Sequence, residues 1–171
     1  MRGLALTVMP PTNAGRFSLD ERNSFLHDGL ATFTVDDSET VLTERLVTTY
    51  QETASGVPDD SYLDIETLLT AQVCMQDMRT YLASLYGRYI LVADGTKIPA
   101  GAQATTAQLI SASAVARYRW QATQLWVQNP DTFATKIVYQ NADDAQVMLQ
   151  LPYDFASQLW DLAADIRFTK S

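Results

Sequence analysis

The stretch ETVLTERLVTTYQETASGVPDDSYLDIETLL, from Glu39 to Leu69, decides the fold. Val41, Leu42 and the run Leu46-Val47-Thr48-Thr49-Tyr50 are aliphatic, β-branched and aromatic, the composition of a strand. Ala54-Ser55-Gly56-Val57-Pro58-Asp59-Asp60 breaks that strand, because glycine and proline suit neither a ladder nor a helix interior. Ser61 or Asp64 can cap a helix after this loop, each offering a side-chain oxygen to orphan backbone N–H groups. From about Asp64 to Tyr86, with Gly87 as the stop, Ile65, Leu68, Ala71, Met75, Met78, Leu82 and Leu85 recur at steps of three and four. That spacing draws one apolar stripe down a helix and leaves Glu66, Thr70, Asp77 and Thr80 for solvent or contacts.

Upstream, MRGLALTVM reads as a short strand closed by Pro10-Pro11. A chain that opens directly in a strand is expected to be a piece of something longer. Ser18-Leu19-Asp20-Glu21 is a capping box for a short helix that ends near His27-Asp28-Gly29, with glycine suited to the left-handed position past a helix end. His27, the single histidine, sits where imidazole complements the negative end of the helix dipole, and we read it as a cap rather than a catalytic base. Leu30 to Val35 and Thr40 to Tyr50 form a hairpin around Asp36-Asp37-Ser38-Glu39. Ala31, Phe33 and Val35 alternate with Thr32 and Thr34, the pattern of a half-buried strand. The carboxylate pairs at 36–37, 59–60 and 143–144 lack the spacing of a calcium loop and read as turn chemistry.

Downstream, Ile90-Leu91-Val92 is brief and runs into loop residues around Gly95 and Gly101 that match no phosphate-cradling pattern. Thr105 or Thr106 can cap a helix reaching about Val127. Its first half is rich in alanine and serine and allows close approach of another element. Its second half carries Arg117, Tyr118, Arg119, Trp120, Leu125 and Trp126. That mixture is either an interface composition or a set of core aromatics with arginines snorkelling to water, and both readings stand. Asn129-Pro130-Asp131 caps and starts a short helical turn, with proline at its first position. The tail is β-rich: Lys136 to Gln140, Ala145 to Leu151, and a last alternation in which Trp160, Leu162, Ala164, Ile166 and Phe168 oppose Asp161, Ala163, Asp165 and Arg167. The expected fold is α+β, a mixed sheet of the N-terminal strand, the hairpin and the C-terminal strands packed against two long helices. Residues 1–171 are read as a single domain, with 159–171 as an edge strand or exchanged arm.

Composition narrows the function classes. The 171 residues are 47% hydrophobic, enough for a core, and carry 12 basic against 20 acidic residues for a net charge of −8. No basic stripe suits nucleic acid, so the acidity is read as solubility. No apolar run approaches the roughly 18 residues of a spanning helix, and no signal-peptide pattern opens the chain. Cys74, the single cysteine, allows no internal disulfide and lies in a helical run, where we read it as a buried inert thiol.

The string Thr43-Glu44-Arg45-Leu46-Val47-Thr48-Thr49-Tyr50-Gln51, with Ser61-Tyr62-Leu63-Asp64 and Leu68-Leu69 beyond it, resembles the C-terminal region of Mu-like phage tail sheath proteins. The likeness extends at lower specificity through Arg16-Phe17, the Leu26-to-Gly29 turn, Arg88 to Gly95 and Leu149 to Phe168, and is least specific over Thr105 to Val127. The resemblance implies a structural subunit of a contractile sheath, with no enzyme activity and no cofactor. It implies partners in other copies of the sheath subunit, the tail tube protein, and baseplate and tail terminator proteins, with no nucleic acid and no membrane. The location implied is the virion tail, assembled in the host cytoplasm. Under that reading Arg117 and Arg119 are candidate tube contacts beside Trp120. Trp160, Asp165 and Arg167 lie on a terminal strand that completes a sheet or docks a neighbour, since a strand so apolar on one face is hazardous unpaired. The competing reading is a stand-alone acidic cytoplasmic interaction module. An enzyme is a third class, for which the sequence offers only scattered carboxylates, one histidine and one cysteine.

Overall fold

Two of the helices begin where a short polar side chain takes up an orphan backbone group. The computed structural model describes residues 2–143 and 145–157. These fall into two compact units, a first up to Met75 and a second from Gln76 on. The division falls inside the long helix.

In the first unit, α1 (Leu19–His27) opens on the expected capping box. Ser18 Oγ accepts from the Glu21 N–H at 3.3 Å, and Glu21 Oε2 accepts from the Ser18 N–H at 2.8 Å. The unit also holds a three-stranded antiparallel sheet in the order β1 (Ala5–Leu6), β3 (Val41–Arg45), β2 (Thr32–Val35). Asp36 closes the hairpin turn, its Oδ1 accepting from the Ser38 and Thr40 N–H groups at 2.9 and 2.8 Å. The alternation expected along β2 is broken. A bulge between Thr32 and Phe33 shifts the register, so Thr32 is buried and Ala31 exposed.

Strand β3 ends earlier than the sequence reading placed it. The chain from Leu46 instead folds back on 57–65 as a ragged antiparallel pair with its tip at Gly56. The Thr48 N–H donates to Leu63 O at 2.8 Å and Thr48 Oγ1 to Tyr62 O at 2.7 Å. The Ile65 N–H donates to Leu46 O at 3.3 Å, and α2 (Ile65–Tyr86) begins there. Asp64, one of the two expected caps with Ser61, accepts at its Oδ1 from Arg45 Nε and Nη2 at 3.2 and 3.0 Å.

The stripe along α2 is rotated from expectation. Cys74 and Met78 are fully buried and Glu66 is only 8% exposed, whereas Met75 and Leu85 are 56% and 40% exposed. Spacing alone did not separate Cys74 from its neighbour Met75, and the thiol, not the thioether, took the inner position.

In the second unit, β4 (Ile90–Leu91) pairs in parallel with β5 (Ala104–Thr105). Helix α3 (Ala107–Thr123) is capped by Thr106, whose Oγ1 accepts from the Leu109 N–H at 3.3 Å. Its buried face is Ala107, Ser111, Ala114, Tyr118 and Gln121: small residues first, then large. It stops short of Val127, because Leu125 adopts a left-handed φ of +60°. Helix α4 (Pro130–Lys136) starts on proline, and β6 (Val138–Asp143) and β7 (Gln146–Gln150) form a hairpin. The α+β class is as the sequence indicated. Among the described residues, however, the strands are divided over three small sheets, because β6 and β7 take each other as partners instead of extending the N-terminal sheet.

Gly29 and Gly56 both have positive φ, +72° and +76°. A Cβ at Gly29 would also meet Thr49 Cα at 3.0 Å and Thr48 O at 3.1 Å, while at Gly56 it would meet nothing within 4 Å. Gly56→Ala should therefore lower stability by about 1 kcal/mol, from backbone strain alone, and Gly29→Ala by clearly more. Urea unfolding of the two variants checks this, and equal losses would show that the close approach at Gly29 does not matter.

Candidate functional site

Two regions concentrate polar geometry and exposed apolar groups, one in each unit. In the second, residues one turn apart on α3 meet residues one turn apart on α2. Arg117 Nε donates to Asp77 Oδ2 at 2.8 Å while its Nη2 donates to Asp77 Oδ1, a bidentate pair. Gln121 Nε2 adds a third bond to Asp77 Oδ2 at 2.8 Å. The guanidinium also lies 3.8 Å from the Trp120 ring centroid and 4.9 Å from that of Tyr81. Both charged side chains are mostly shielded, at 22% and 19% exposure. The hydrogen bond from Arg117 holds the Asp77 carboxyl below the usual carboxylate range, against the opposing effect of burial. Asp77 is thus a structural anchor that its place between apolar helix positions did not announce. Its partner stands 40 residues away in sequence.

Below this pair, Tyr118 stacks on Phe133 with centroids 3.7 Å apart, and Tyr153 closes the group. The Tyr118 hydroxyl donates to Gln128 O at 2.8 Å and accepts from the Asp154 N–H at 3.2 Å. The Asp154 carboxylate takes Asn129 Nδ2 at 2.7 Å and Gln128 Nε2 at 2.9 Å, and these bonds lower its pKa. Asn129, read as a cap for α4, is therefore engaged elsewhere and its side chain caps no N–H.

The candidate interface residues separate. Arg117 is engaged within the unit. Arg119 is 57% exposed, with one weak pair to Asp131 at 3.4 Å. Trp120 is 40% exposed, its ring edge-on to Trp126 at 5.6 Å, and Leu125 is 80% exposed. Trp160, Asp165 and Arg167, with the whole 159–171 segment, lie outside the described residues.

In the first unit an open pocket of about 480 Å³ is lined by Leu26, Tyr50, Pro58, Asp59, Asp60 and Leu63, with His27 at its side. Asp59 organises it. Its Oδ1 accepts from Ser61 Oγ at 2.5 Å and its Oδ2 from the Tyr50 hydroxyl at 2.5 Å. The bond to Asp59 pushes the Tyr50 phenol up to about 12, and the Ser61 hydroxyl holds Asp59 low. His27 belongs to the last turn of α1, and its carbonyl accepts from Gln51 Nε2 at 2.6 Å. Among the described residues no three His, Cys, Asp or Glu side chains gather as a metal site would need, and no helix is long and apolar enough to cross a membrane.

No family model matches the chain. Among curated proteins it is similar to the tail sheath proteins of Mu-like prophages. One such relative is the Mu-like prophage FluMu tail sheath protein of Haemophilus influenzae, 33% identical over 107 residues. That alignment takes in 63% of this chain and 22% of the relative, so the aligned part spans under a quarter of that protein. The resemblance to Mu-like tail sheath proteins read from the sequence is borne out by this match.

Because the Asp77 pKa is lowered in the fold, its contribution is present above the unfolded value of about 3.9 and is lost as pH falls through the lower folded value. Arg117→Ala should destabilise the chain by about 2 kcal/mol at neutral pH. Asp77→Asn should do likewise while flattening the loss of stability below pH ~4. Denaturant unfolding at pH 7 and pH 3 reads both. An acid limb unchanged in Asp77→Asn would remove Asp77 from the account.

Proposed function

We propose that this chain is the C-terminal part of a contractile tail sheath subunit of a Mu-like phage or prophage. In this reading it polymerises around the tail tube and contracts to drive DNA delivery. The observation that carries the reading is the match to the FluMu sheath protein. Its partners are other copies of the subunit, the tube protein, and baseplate and terminator proteins. It works in the virion tail after assembly in the host cytoplasm, as a structural element without catalysis, cofactor, nucleic acid or membrane.

The hairpin supports this reading physically. The hairpin packs against α3 through β6, yet Val138, Tyr139 and Met148 on β6 and β7 are still 51%, 37% and 49% exposed. Among the described residues no third strand pairs with either. Strand addition from a neighbour would satisfy both the open edges and the apolar faces, and main-chain bonds of that kind hold while the joined bodies turn.

Electron microscopy of the gene product, expressed with the genes beside it, should show striated cylinders or tubes clad in them. In assembled material the amides of β6 and β7 should exchange at least tenfold more slowly than in the isolated chain, equivalent to about 1.4 kcal/mol of added protection. A product that stays unassembled, with no tube protein attached, would favour the stand-alone interaction module.

A further inference from the structure

Leu125 is an anomaly by two criteria. It holds φ at +60°, in the left-handed position just past the end of α3 where glycine is favoured, and a bulky residue there is strained. It is also 80% exposed, so its side chain gains almost nothing from the chain's own interior. The turn is set by the Leu125 N–H to Ala122 O at 3.0 Å and the Trp126 N–H to Gln121 O at 3.3 Å, and it projects an apolar tip. Nearby in sequence are Trp120, also exposed, and Arg119, whose pair with a 93% exposed Asp131 carboxylate is weak enough to exchange. Strain kept at an exposed position points to a contact made elsewhere.

The pocket in the first unit has the complementary chemistry. Leu26, Pro58 and Leu63 give it apolar walls between the polar groups of His27, Tyr50 and Gln51, and Asp60, exposed beside Asp59, gives it an acidic rim. We propose that Leu125, with Trp120 and Arg119, docks into the Asp60-rimmed pocket of a second copy of this chain. Each copy would then present both a knob and a pocket, and the sheath reading requires this contact to propagate as a ring or helix instead of closing as a two-fold dimer. The proposal rests on the sheath reading and assigns two surfaces within it.

Leu125→Gly separates this role from a structural one, because its two effects have opposite signs. It should raise the melting temperature of the isolated chain by about 2–4 °C by relieving strain. It should also raise the protein concentration needed for cylinder formation about tenfold. Asp60→Lys and Arg119→Asp should each weaken assembly, and the two combined in one chain should restore it. Chains carrying Leu125→Cys, mixed with size-tagged chains carrying Pro58→Cys, should form a mixed disulfide under mild oxidation, Cys74 being buried. Cylinders that form normally from Leu125→Gly, without the mixed disulfide, overturn this contact and leave the sheath reading intact. A mixed disulfide without cylinders keeps the contact and removes the sheath reading. Absence of both overturns both, and a disulfide from Leu125→Cys to the tube protein instead of a second copy overturns the assignment of the partner.

Discussion

The first unit depends on the chain turning back upon itself around Gly56. Two backbone hydrogen bonds, Thr48 N–H to Leu63 O and Ile65 N–H to Leu46 O, set where the returning strand stops and where α2 starts. The Arg45–Asp64 pair braces the same junction from the side. Gly29 is pressed against the outgoing arm near Thr48 and Thr49, so the end of α1 is registered against the same reversal. A residue inserted between Leu46 and Thr48 would displace helix, sheet and α1 together.

The second unit solves a different problem. Helix α3 begins with alanine and serine on its buried face and finishes with tyrosine and glutamine. The rings of Tyr118, Phe133 and Tyr153 supply bulk at that end, and the hydroxyl of Tyr118 returns its polarity to the backbone of Gln128 and Asp154. The Arg117–Asp77 pair lies at the border of this core, shielded enough to be directional and close enough to Trp120 for its cation to rest on a ring. With these polar groups engaged, the exposed apolar residues beyond the helix end stand out.

Local chemistry was legible in the sequence where one or a few neighbouring residues determine it. The Ser18 capping box, the Asp36 turn, Thr106 as a cap and proline at the start of α4 appear as read. Long-range pairing was not legible. Nothing near Asp77 announces Arg117, and nothing near Asn129 announces Asp154, because each partner is brought in by folding. The α2 stripe shows the same limit at finer scale: period alone admits both Met75 and Cys74, and only the surrounding packing selects between them. The bulge beside Thr32, where β3 carries one extra residue, broke an alternation that the β2 sequence alone shows as regular. The resemblance to sheath proteins reached further than these patterns, because it was carried by a whole string rather than by single contacts.

The attachment of residues 153–156 to the end of α3 has a mechanical meaning. Gln128 N–H donates to Asp154 O, and Ala156 N–H to Trp126 O, while the Asp154 carboxylate holds Gln128 and Asn129. These bonds join two antiparallel segments side by side, bridged at Val127 and Phe155. A pull on the chain beyond Ser157 along that direction would load them together in shear, not one after another as a hairpin unzips. The segment behaves as a stitched seam: tension entering from the tail side would reach the Tyr118 core before it could peel β7 from β6.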